Sequence, residues 1–343
     1  MNCGVVGYGV YVPRFRIKRD EYVKAWGSFN ARGVEEKAVA GLDEDVVTMT
    51  VESSVGALKR AGISARQLNG MFFGSTSAPY VEKLSSSTIV ASIDGPSEIF
   101  LADFGFSTKA GTAALLSCLD FVSSGRGDLG LVGASDMPQA MPIDSLEHGL
   151  GVGSASFVIG KNDVMANIEG VHCSGLEIIG ERYRRHGKRF LNDSGIGAYT
   201  EQAFNQALTI SVTGLLTNLG LKVEEFAYAI FQQIDGRTAY DIGRKLGFKD
   251  SQISPSMIVT KIGDSGSVSP LIGLCAVLDV ARPRDRILVA SYGSGSGSDA
   301  MSLVATDQLV ERRNKAPMVE SYLAQKEYID YLTYLKFKRM LGE

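Results

Sequence analysis

The sequence contains few of the residues that metal and disulfide sites need. Its 343 residues include four cysteines, Cys3, Cys118, Cys173 and Cys275, and three histidines, His148, His172 and His186. No Cys-x-x-Cys pair occurs, so neither a zinc cage nor a disulfide framework is expected. No histidine follows position 186, which excludes any mechanism that needs a histidine base from the chain beyond that position.

An excess of one charge and long apolar runs are also missing. The 35 Lys and Arg residues nearly balance the 38 Asp and Glu residues, and the net charge of −3 gives no attraction to nucleic acid or anionic lipid. No stretch reaches 18 consecutive apolar residues, and the first residues lack the basic region and apolar core of a signal peptide. We therefore expect a cytoplasmic protein with no nucleic-acid or membrane partner and no metal.

What is present is a regular alternation of strand and helix patterns. Short apolar runs predict buried strands at CGVVGYGVYV, GMFFGST, IFLADFGFS, LGLVGASD, ASFVIG, AYAIFQQ, SMIVTKIG, RILVASYG and AMSLVATD. Longer periodic segments predict helices at VTMTVESSVGALKRAG, GTAALLSCLDFVSSG and EQAFNQALTISVTGLLTNLG. Strands and helices in this order predict an α/β fold.

Two segments roughly 155 residues apart follow one plan. The segments that begin at Lys109 and Ser265 each have small residues at a helix start, an apolar helix, a turn and a strand that ends in Ala-Ser. The pattern predicts two duplicated halves, 1–165 and 166–343. The alternative is chance, because any two helix-strand units look alike.

The segment from about residue 316 differs in composition. Tyr328, Tyr331, Leu332 and Leu335 have the spacing of one helical face, so the sequence predicts an aromatic helical tail. Such a face either packs on its own domain or contacts a partner.

The segment LADFGFSTKAGTAALL predicts a turn from a strand into a helix. Ser107 and Thr108 lie in this turn, where the helix N-terminus favours negative charge. Either hydroxyl is a candidate nucleophile if a base removes its proton. The alternative is that both are helix caps.

At this turn the chain resembles the archaeal type of 3-hydroxy-3-methylglutaryl-CoA synthase, within the thiolase superfamily. The resemblance includes GVVGYGVYVPRFRIK, FGSTSAPY, ADFGFSTKAGTAALL, LVGASD, FQQIDG, IGDSGSVSPLIGL, AVLDVARPRDRILVASYGSGSGSDA and the YIDY tail. It implies a thiolase-like five-layered αβαβα fold with two duplicated halves and a site between them. It also implies a homodimer.

The family's chemistry uses a cysteine nucleophile, a glutamate base and a histidine. Carried over position by position, these roles fall on Thr108, Thr76 and Gln232, and Asp264 stands where the family has an asparagine. A threonine hydroxyl is far less acidic than a cysteine tuned to a pKa of about 3.5 to 7.5. These departures predict a degenerate active site.

With these departures, the chain resembles the synthase-like subunit of phloroglucinol acetyltransferase complexes. That resemblance implies a structural or channelling subunit beside a thiolase-like acyltransferase and a small OB-fold zinc-ribbon protein. The alternative is an active acyl-CoA condensing or acyl-transferring enzyme that uses Ser107 or Thr108. A third class is a free-standing acyl-CoA binder.

A basic loop and a glycine-rich loop complete the candidates. No cofactor is expected, apart from a vestigial binding of coenzyme A. Candidates to meet its phosphates are Arg184, Arg185, Lys188 and Arg189, although a solvated loop is at least equally expected. The glycines of 292–300 predict a backbone that passes close to the cleft floor. His148 and His186 are expected to be solvated.

Overall fold

The computed structural model describes residues 3–177, 182–193 and 197–341. The strands are β1 (Gly4–Tyr11), β2 (Phe15–Lys18), β3 (Glu36–Val39), β4 (Gly70–Gly74), β5 (Phe100–Phe104), β6 (Leu129–Asp136), β7 (Gly153–Gly160), β8 (Ala166–Ser174), β9 (Tyr228–Phe231), β10 (Arg286–Gly293), β11 (Gly297–Ala305) and β12 (Glu327–Tyr328). The α-helices are α1 (Arg19–Trp26), α2 (Val46–Ala61), α3 (Ser85–Ser92), α4 (Ala110–Ser123), α5 (Ser145–Gly149), α6 (Gly197–Leu219), α7 (Thr238–Lys245), α8 (Asp250–Ile253), α9 (Val259–Ile262), α10 (Ser269–Leu278), α11 (Asp307–Arg312), α12 (Val319–Ala324) and α13 (Tyr331–Phe337).

Nine strands form one mixed sheet in the order β5-β4-β6-β7-β1-β8-β11-β10-β9. From the centre outward, β1 pairs antiparallel with β7, β7 pairs antiparallel with β6, and β6 pairs parallel with β4. The other half repeats this pattern: β8 pairs antiparallel with β11, β11 pairs antiparallel with β10, and β10 pairs parallel with β9. Two neighbouring residues, Gly4 and Val5, pair β1 with β8 and join the halves. The two halves of the sheet therefore have the same strand order and directions, as expected for two copies of one unit. The boundary at residue 165 stays a prediction.

The equivalent helices α4 and α10 meet between the halves. A Cβ on Gly111 of α4 would lie 2.5 Å from the carbonyl oxygen of Ser267 and 3.1 Å from the Leu271 side chain. Only a residue without a side chain permits this approach. Cys118 of α4 and Cys275 of α10 are fully buried in the hydrophobic core. The predicted α/β fold is confirmed.

One predicted strand is wrong. The run SMIVTKIG forms the short helix α9, in which Val259 and Ile262 are buried. The side chain of Gln233 accepts hydrogen bonds from the backbone N–H groups of Ile258 and Val259. It therefore satisfies two donors at the start of the helix, and a short apolar run cannot by itself distinguish a strand from a buried helix.

The predicted face of the C-terminal tail is also wrong. Tyr328 lies in β12 rather than in a helix, and Leu332 is 64% exposed. Tyr331 and Tyr334 are the buried residues of α13, and both rings contact the ring of Tyr22. The tail therefore packs on its own domain, because a strand interrupts the helical spacing that the prediction assumed.

In the part of the chain that the structure describes, we find no helix with the length and apolarity to cross a bilayer. Within the same residues, no three His, Cys, Asp or Glu side chains are grouped so that they could hold a metal ion.

Candidate active site

The turn between β5 and α4 brings two hydroxyls to the boundary between the halves. Phe106 has a φ of +66°, a left-handed conformation that costs energy in a non-glycine residue, and its side chain is fully exposed. Ser107 and Thr108 follow, and Lys109 is the N-cap residue of α4 without a side-chain cap. The expectation that Thr108 caps this helix is therefore wrong, because its hydroxyl has partners in the other half.

The Thr108 hydroxyl is held by the backbone of the second half. Its Oγ1 donates to the carbonyl oxygen of Tyr292 at 2.8 Å and accepts from the backbone N–H of Ser294 at 2.9 Å. Tyr292 and Ser294 reach the Thr108 hydroxyl because the end of β10 runs close to the turn. A Cβ on Gly293 would collide with the Ser107 hydroxyl and press on Lys109, so the prediction that glycine permits this approach is confirmed.

Thr108 lies where two cavities meet. An outer cavity of about 520 Å³ and an inner cavity of about 220 Å³ share Thr108, Arg182 and Ser294 in their linings. Ser107 and Thr76 line only the outer cavity, and Gln232 and Asp264 line only the inner one. The structure thus brings the predicted site residues into one region, divided between two spaces.

The outer cavity is basic. Arg184, Arg185, His186 and Lys188 line it, and Arg184 Nη2 donates to the carbonyl oxygen of Thr76 at 2.7 Å. Arg189 lies outside this cavity. Its guanidinium donates to Gln139 Oε1 at 2.8 Å and to the carbonyl oxygens of Lys338 and Arg339 near the C-terminal end of the described chain.

Gln232 is fixed at the wall of the inner cavity. It is buried, its Nε2 donates to the carbonyl oxygen of Gly266 at 2.7 Å, and its Oε1 accepts from the Tyr292 N–H at 3.4 Å. The amide therefore orients the backbone around Thr108, and it cannot act as a general base.

Asp264 is the buried carboxylate of the inner cavity. It accepts from Arg182 Nη1 at 2.6 Å and from the Gly266 N–H at 2.8 Å. Burial raises the pKa of Asp264 above its usual value, although the Arg182 charge and the Gly266 N–H oppose this rise.

Asp235, which sequence reasoning missed, is the contrasting carboxylate of this cavity. Burial alone would raise its pKa, but N–H groups of Thr238 and Arg237, the Thr238 hydroxyl and the charge of Arg32 outweigh burial and lower the pKa. The position of Asp235 four residues after the end of β9, in the motif FQQIDG, was the signal that could have identified it. Asp264 is therefore the better proton acceptor of the two.

The expectation that His148 is solvated is wrong. It is buried rather than solvated, its ring stacks on Phe29, and its Nδ1 accepts from the Asn30 N–H at 3.0 Å. Burial lowers the pKa of His148. His186 is exposed, as expected, at the outer cavity.

Sequence comparison assigns the family. No family model matches the sequence. The hydroxymethylglutaryl-CoA synthase of Methanopyrus kandleri is 39% identical over 351 residues, which cover 99% of this chain and 98% of that protein. The hydroxymethylglutaryl-CoA synthase of Pyrococcus horikoshii is 40% identical over 346 residues, with 98% and 96% covered. The chain belongs to the hydroxymethylglutaryl-CoA synthase family.

Solved structures confirm the thiolase-like fold. MvaS in complex with 3-hydroxy-3-methylglutaryl coenzyme A superposes with a TM-score of 0.90 at 19% identity, covering 98% of this chain and 91% of that one. The 3-oxoacyl-[acyl-carrier-protein] synthase III of Aquifex aeolicus VF5 superposes with a TM-score of 0.78 at 17% identity, with 88% and 99% covered.

The expectation of a degenerate structural subunit is wrong. Relatives about 40% identical over nearly the whole chain are named hydroxymethylglutaryl-CoA synthase, which points to an active enzyme. The departures at Thr76, Thr108 and Gln232 are therefore not by themselves evidence of inactivity. The likeness to the phloroglucinol acetyltransferase subunit stays a prediction.

Proposed function

We propose that this chain is an acyl-CoA condensing or acyl-transferring enzyme of the hydroxymethylglutaryl-CoA synthase type, with the Thr108 hydroxyl as its nucleophile. One observation carries the proposal: Thr108 lies at the start of α4 and lines both a basic outer cavity and a smaller inner cavity. A hydroxyl in that position meets the acyl-CoA donor from the outer cavity and the acyl acceptor from the inner cavity.

The outer cavity suits coenzyme A. Arg184, Arg185 and Lys188 provide cations for the phosphates, which arginine and lysine bind well. The acyl end of the thioester then extends toward Thr108. Arg189 has no such role in the proposal, since it binds Gln139 and the C-terminal carbonyl groups.

The acyl-transfer step needs a nucleophile and a proton acceptor. The Thr108 oxygen attacks the thioester carbonyl, an O–C bond forms, and the C–S bond breaks. The hydroxyl proton passes to Asp264 by way of a water molecule in the inner cavity, and the protonated Asp264 returns it by the same route to the departing thiolate of coenzyme A. The Ser294 N–H and the N-terminal end of α4 stabilise negative charge on the Thr108 oxygen.

Asp264 fits the base role better than Asp235, because burial raises the pKa of Asp264 whereas hydrogen bonds lower the pKa of Asp235. No imidazole or carboxylate among the described residues is hydrogen-bonded to the Thr108 hydroxyl, so the base has to act across the inner cavity. Asp264 lines that cavity, and burial raises its pKa toward the range in which a carboxylate accepts a proton efficiently.

Ser107 is the second candidate nucleophile. It lines only the outer cavity, where its oxygen accepts weakly, at 3.4 Å, from the Lys109 N–H. It has no contact with the inner cavity, which favours Thr108.

The test is covalent labelling. The purified chain is incubated with radiolabelled acetyl-CoA, denatured and assayed for bound label. Label is expected in wild type and in Ser107→Ala, and it should be lost in Thr108→Val. Thr108→Ser keeps the hydroxyl and should retain label.

Coenzyme A binding to each variant, measured by calorimetry, checks that the outer cavity is intact. Loss of label in Ser107→Ala but not in Thr108→Val would move the nucleophile to Ser107. Absence of label in a wild-type chain that binds coenzyme A would overturn the covalent step.

The partners implied by resemblance are a separate proposal. A thiolase-like subunit, a small OB-fold zinc-ribbon protein and a second copy of this chain are the predicted partners. Native mass measurement of the chain, alone and after co-expression with such proteins, tests each of them. A monomer in every mixture would contradict all three.

A further inference from the structure

The loop between α1 and β3 forms part of the wall of the inner cavity. Residues 27–35 belong to neither a helix nor a strand, and Asn30, Ala31 and Arg32 line the cavity. At the far end of the loop, Arg32 Nε donates to Asp235 Oδ2 at 3.0 Å, and the Arg32 carbonyl oxygen accepts from the Gly236 N–H at 2.8 Å. The near end of the loop rests on His148.

The His148 ring holds this near end through stacking and one hydrogen bond. The Phe29 ring stacks on it, with 5.5 Å between the ring centres and 11° between the planes. His148 Nδ1 accepts from the backbone N–H of Asn30 at 3.0 Å. The ring of Tyr22 lies 4.9 Å from the imidazole, and His148 is 2% exposed. The loop therefore covers the imidazole, and the imidazole holds the loop in place.

The hydrogen bond from Asn30 also defines the protonation state of the ring. A ring nitrogen that accepts an N–H carries a lone pair, so the imidazole is neutral with its proton on Nε2. His148 Nε2 is buried and has no hydrogen-bond partner among the described residues. A second proton would sit on Nδ1 and point at the Asn30 N–H. Protonation thus replaces a hydrogen bond with a contact between two donors and leaves a buried cation without an acceptor.

The charges near His148 act in opposite directions on its titration. Burial lowers the pKa of His148, Lys37 adds to this effect, and Glu147 and Asp144 oppose it. The titratable groups around His148 and Glu147 come from α1, β3, α5 with its cap, and the C-terminal segment: Tyr22, Lys37, Asp144, Glu147, Tyr331, Tyr334 and Lys338. A solvated imidazole has its usual pKa of about 6.5, so a ring freed from the loop binds a proton more readily than the covered ring.

We propose that neutral His148 holds the loop 27–35 against the inner cavity, and that protonation of its ring releases the loop and opens the cavity. When the loop moves away, water reaches the ring and both of its N–H groups gain partners. The ratio of released to held loop then rises by up to about tenfold per pH unit below the usual histidine pKa. His148 acts through the loop, so it is a positioning residue, and the proposal does not depend on the chemistry of Thr108.

Hydrogen exchange followed by mass spectrometry tests the release in the wild-type chain. Peptides that cover 27–35 are compared at pH 7.5 and pH 5, with each rate divided by the intrinsic rate at that pH. Protection of these peptides should fall by at least about threefold at pH 5, since each unit by which a pKa is lowered corresponds to a tenfold change in this ratio. Peptides from α2 should keep their protection. Equal protection of the loop at both pH values, or a fall that extends to α2, would overturn the proposal.

Two variants assign the effect to His148. His148→Asn places an amide oxygen where Nδ1 accepts and does not titrate, so the loop should stay protected at both pH values. His148→Leu has no acceptor, and its loop should exchange at pH 7.5 about as fast as the wild-type loop does at pH 5. His186→Asn replaces an exposed histidine and should behave as wild type. A fall that persists in His148→Asn would assign the proton to another group, such as Lys37, and contradict the proposal.

The protonation state of the ring can be read without relying on a variant's stability. The chain has three histidines, so nitrogen-15 NMR at pH 7.5 gives three sets of ring signals. One buried ring should be neutral with its proton on Nε2, and the other two are partly or fully accessible. Absence of a ring in this tautomer would overturn the proposal. Exchange and ring signals need no acyl donor, so their outcome is independent of the Thr108 labelling.

Discussion

Lys109 Nζ lies 2.7 Å from Asp299 Oδ1, and this ion pair joins the turn that carries Thr108 to strand β11 of the second half. Asp299 is 1% exposed on its side chain, and its Oδ2 also accepts from Thr112 Oγ1 at 2.9 Å. The residue next to the proposed nucleophile is therefore fixed across the boundary between the halves.

Lys109→Met should destabilise the protein, because it leaves the buried Asp299 carboxylate without its cation. We expect the free energy of unfolding to fall by about 2 kcal/mol or more, measured by urea denaturation. Arg66→Gln is the control. It breaks an exposed pair with Asp94 and should leave the urea midpoint nearly unchanged. Equal effects of the two variants would contradict a structural role for Lys109.

Thr108→Cys should accelerate acyl uptake. A thiol at the start of α4 has a lowered pKa and is a stronger nucleophile than a hydroxyl. The initial rate of labelling with acetyl-CoA should rise by at least about tenfold, and the label should become sensitive to hydroxylamine. Ser107→Cys is the matched control, one residue away. A faster rate only in Ser107→Cys would place the reacting position there instead.

Asp264→Asn should remove the proposed base while keeping a side chain of the same shape. Turnover is expected to fall by about 10²- to 10⁴-fold, with coenzyme A affinity unchanged. Because burial raises the pKa of Asp264, the wild-type rate should also fall as the pH drops through that raised value. A pH profile that is the same in both proteins would exclude Asp264 as the base.

The basic loop should divide into two groups when its cations are replaced singly by alanine. Arg184→Ala, Arg185→Ala and Lys188→Ala should each weaken coenzyme A binding, measured by calorimetry, by several-fold because they line the outer cavity. Arg189→Ala should change that affinity little and lower the melting temperature instead, since it loses bonds to Gln139 and the C-terminal carbonyl groups. The reverse pattern would restore Arg189 as a ligand of coenzyme A.

Lys37 should make stability depend on pH. Its ammonium is buried beneath the rings of Tyr22 and Tyr334, and burial lowers its pKa to about 7, with Lys338 adding to the effect and Glu147 opposing it. The unfolded chain keeps this proton up to about pH 10.5, whereas the folded chain releases it above about pH 7.

Unfolding therefore takes up a proton between these values, and the free energy of unfolding should rise with pH by up to about 1.4 kcal/mol per unit. Urea denaturation at pH 7, 8 and 9 measures this slope. Lys37→Met lacks the titrating group and should show a shallower slope. Parallel curves for the two proteins would show that Lys37 does not titrate in this range.

The sequence predicted those parts of the site that depend on the local chain. The strand before Phe106 and the helix after Lys109 follow from periodicity, and they place Ser107 and Thr108 in the turn between them. The glycines of 292–300 predicted the close passage of backbone that Gly293 makes against Ser107.

Other parts could not be predicted, because their partners lie far along the chain. Asp264 was identified only as a departure from a motif, and its partner Arg182 lies 82 residues earlier in the chain. The four cations of the basic loop look equivalent in sequence, yet Arg189 binds the C-terminal region and the others line a cavity.

The sequence by itself determined the α/β architecture, its internal repeat and the turn that holds Thr108, because apolar periodicity and glycine act over a few residues. Only the tertiary structure decided that Arg182 lines both cavities and pairs with Asp264, and that the second half fixes the Thr108 hydroxyl. These properties depend on burial and on contacts between distant segments, which exist only once the halves have packed together.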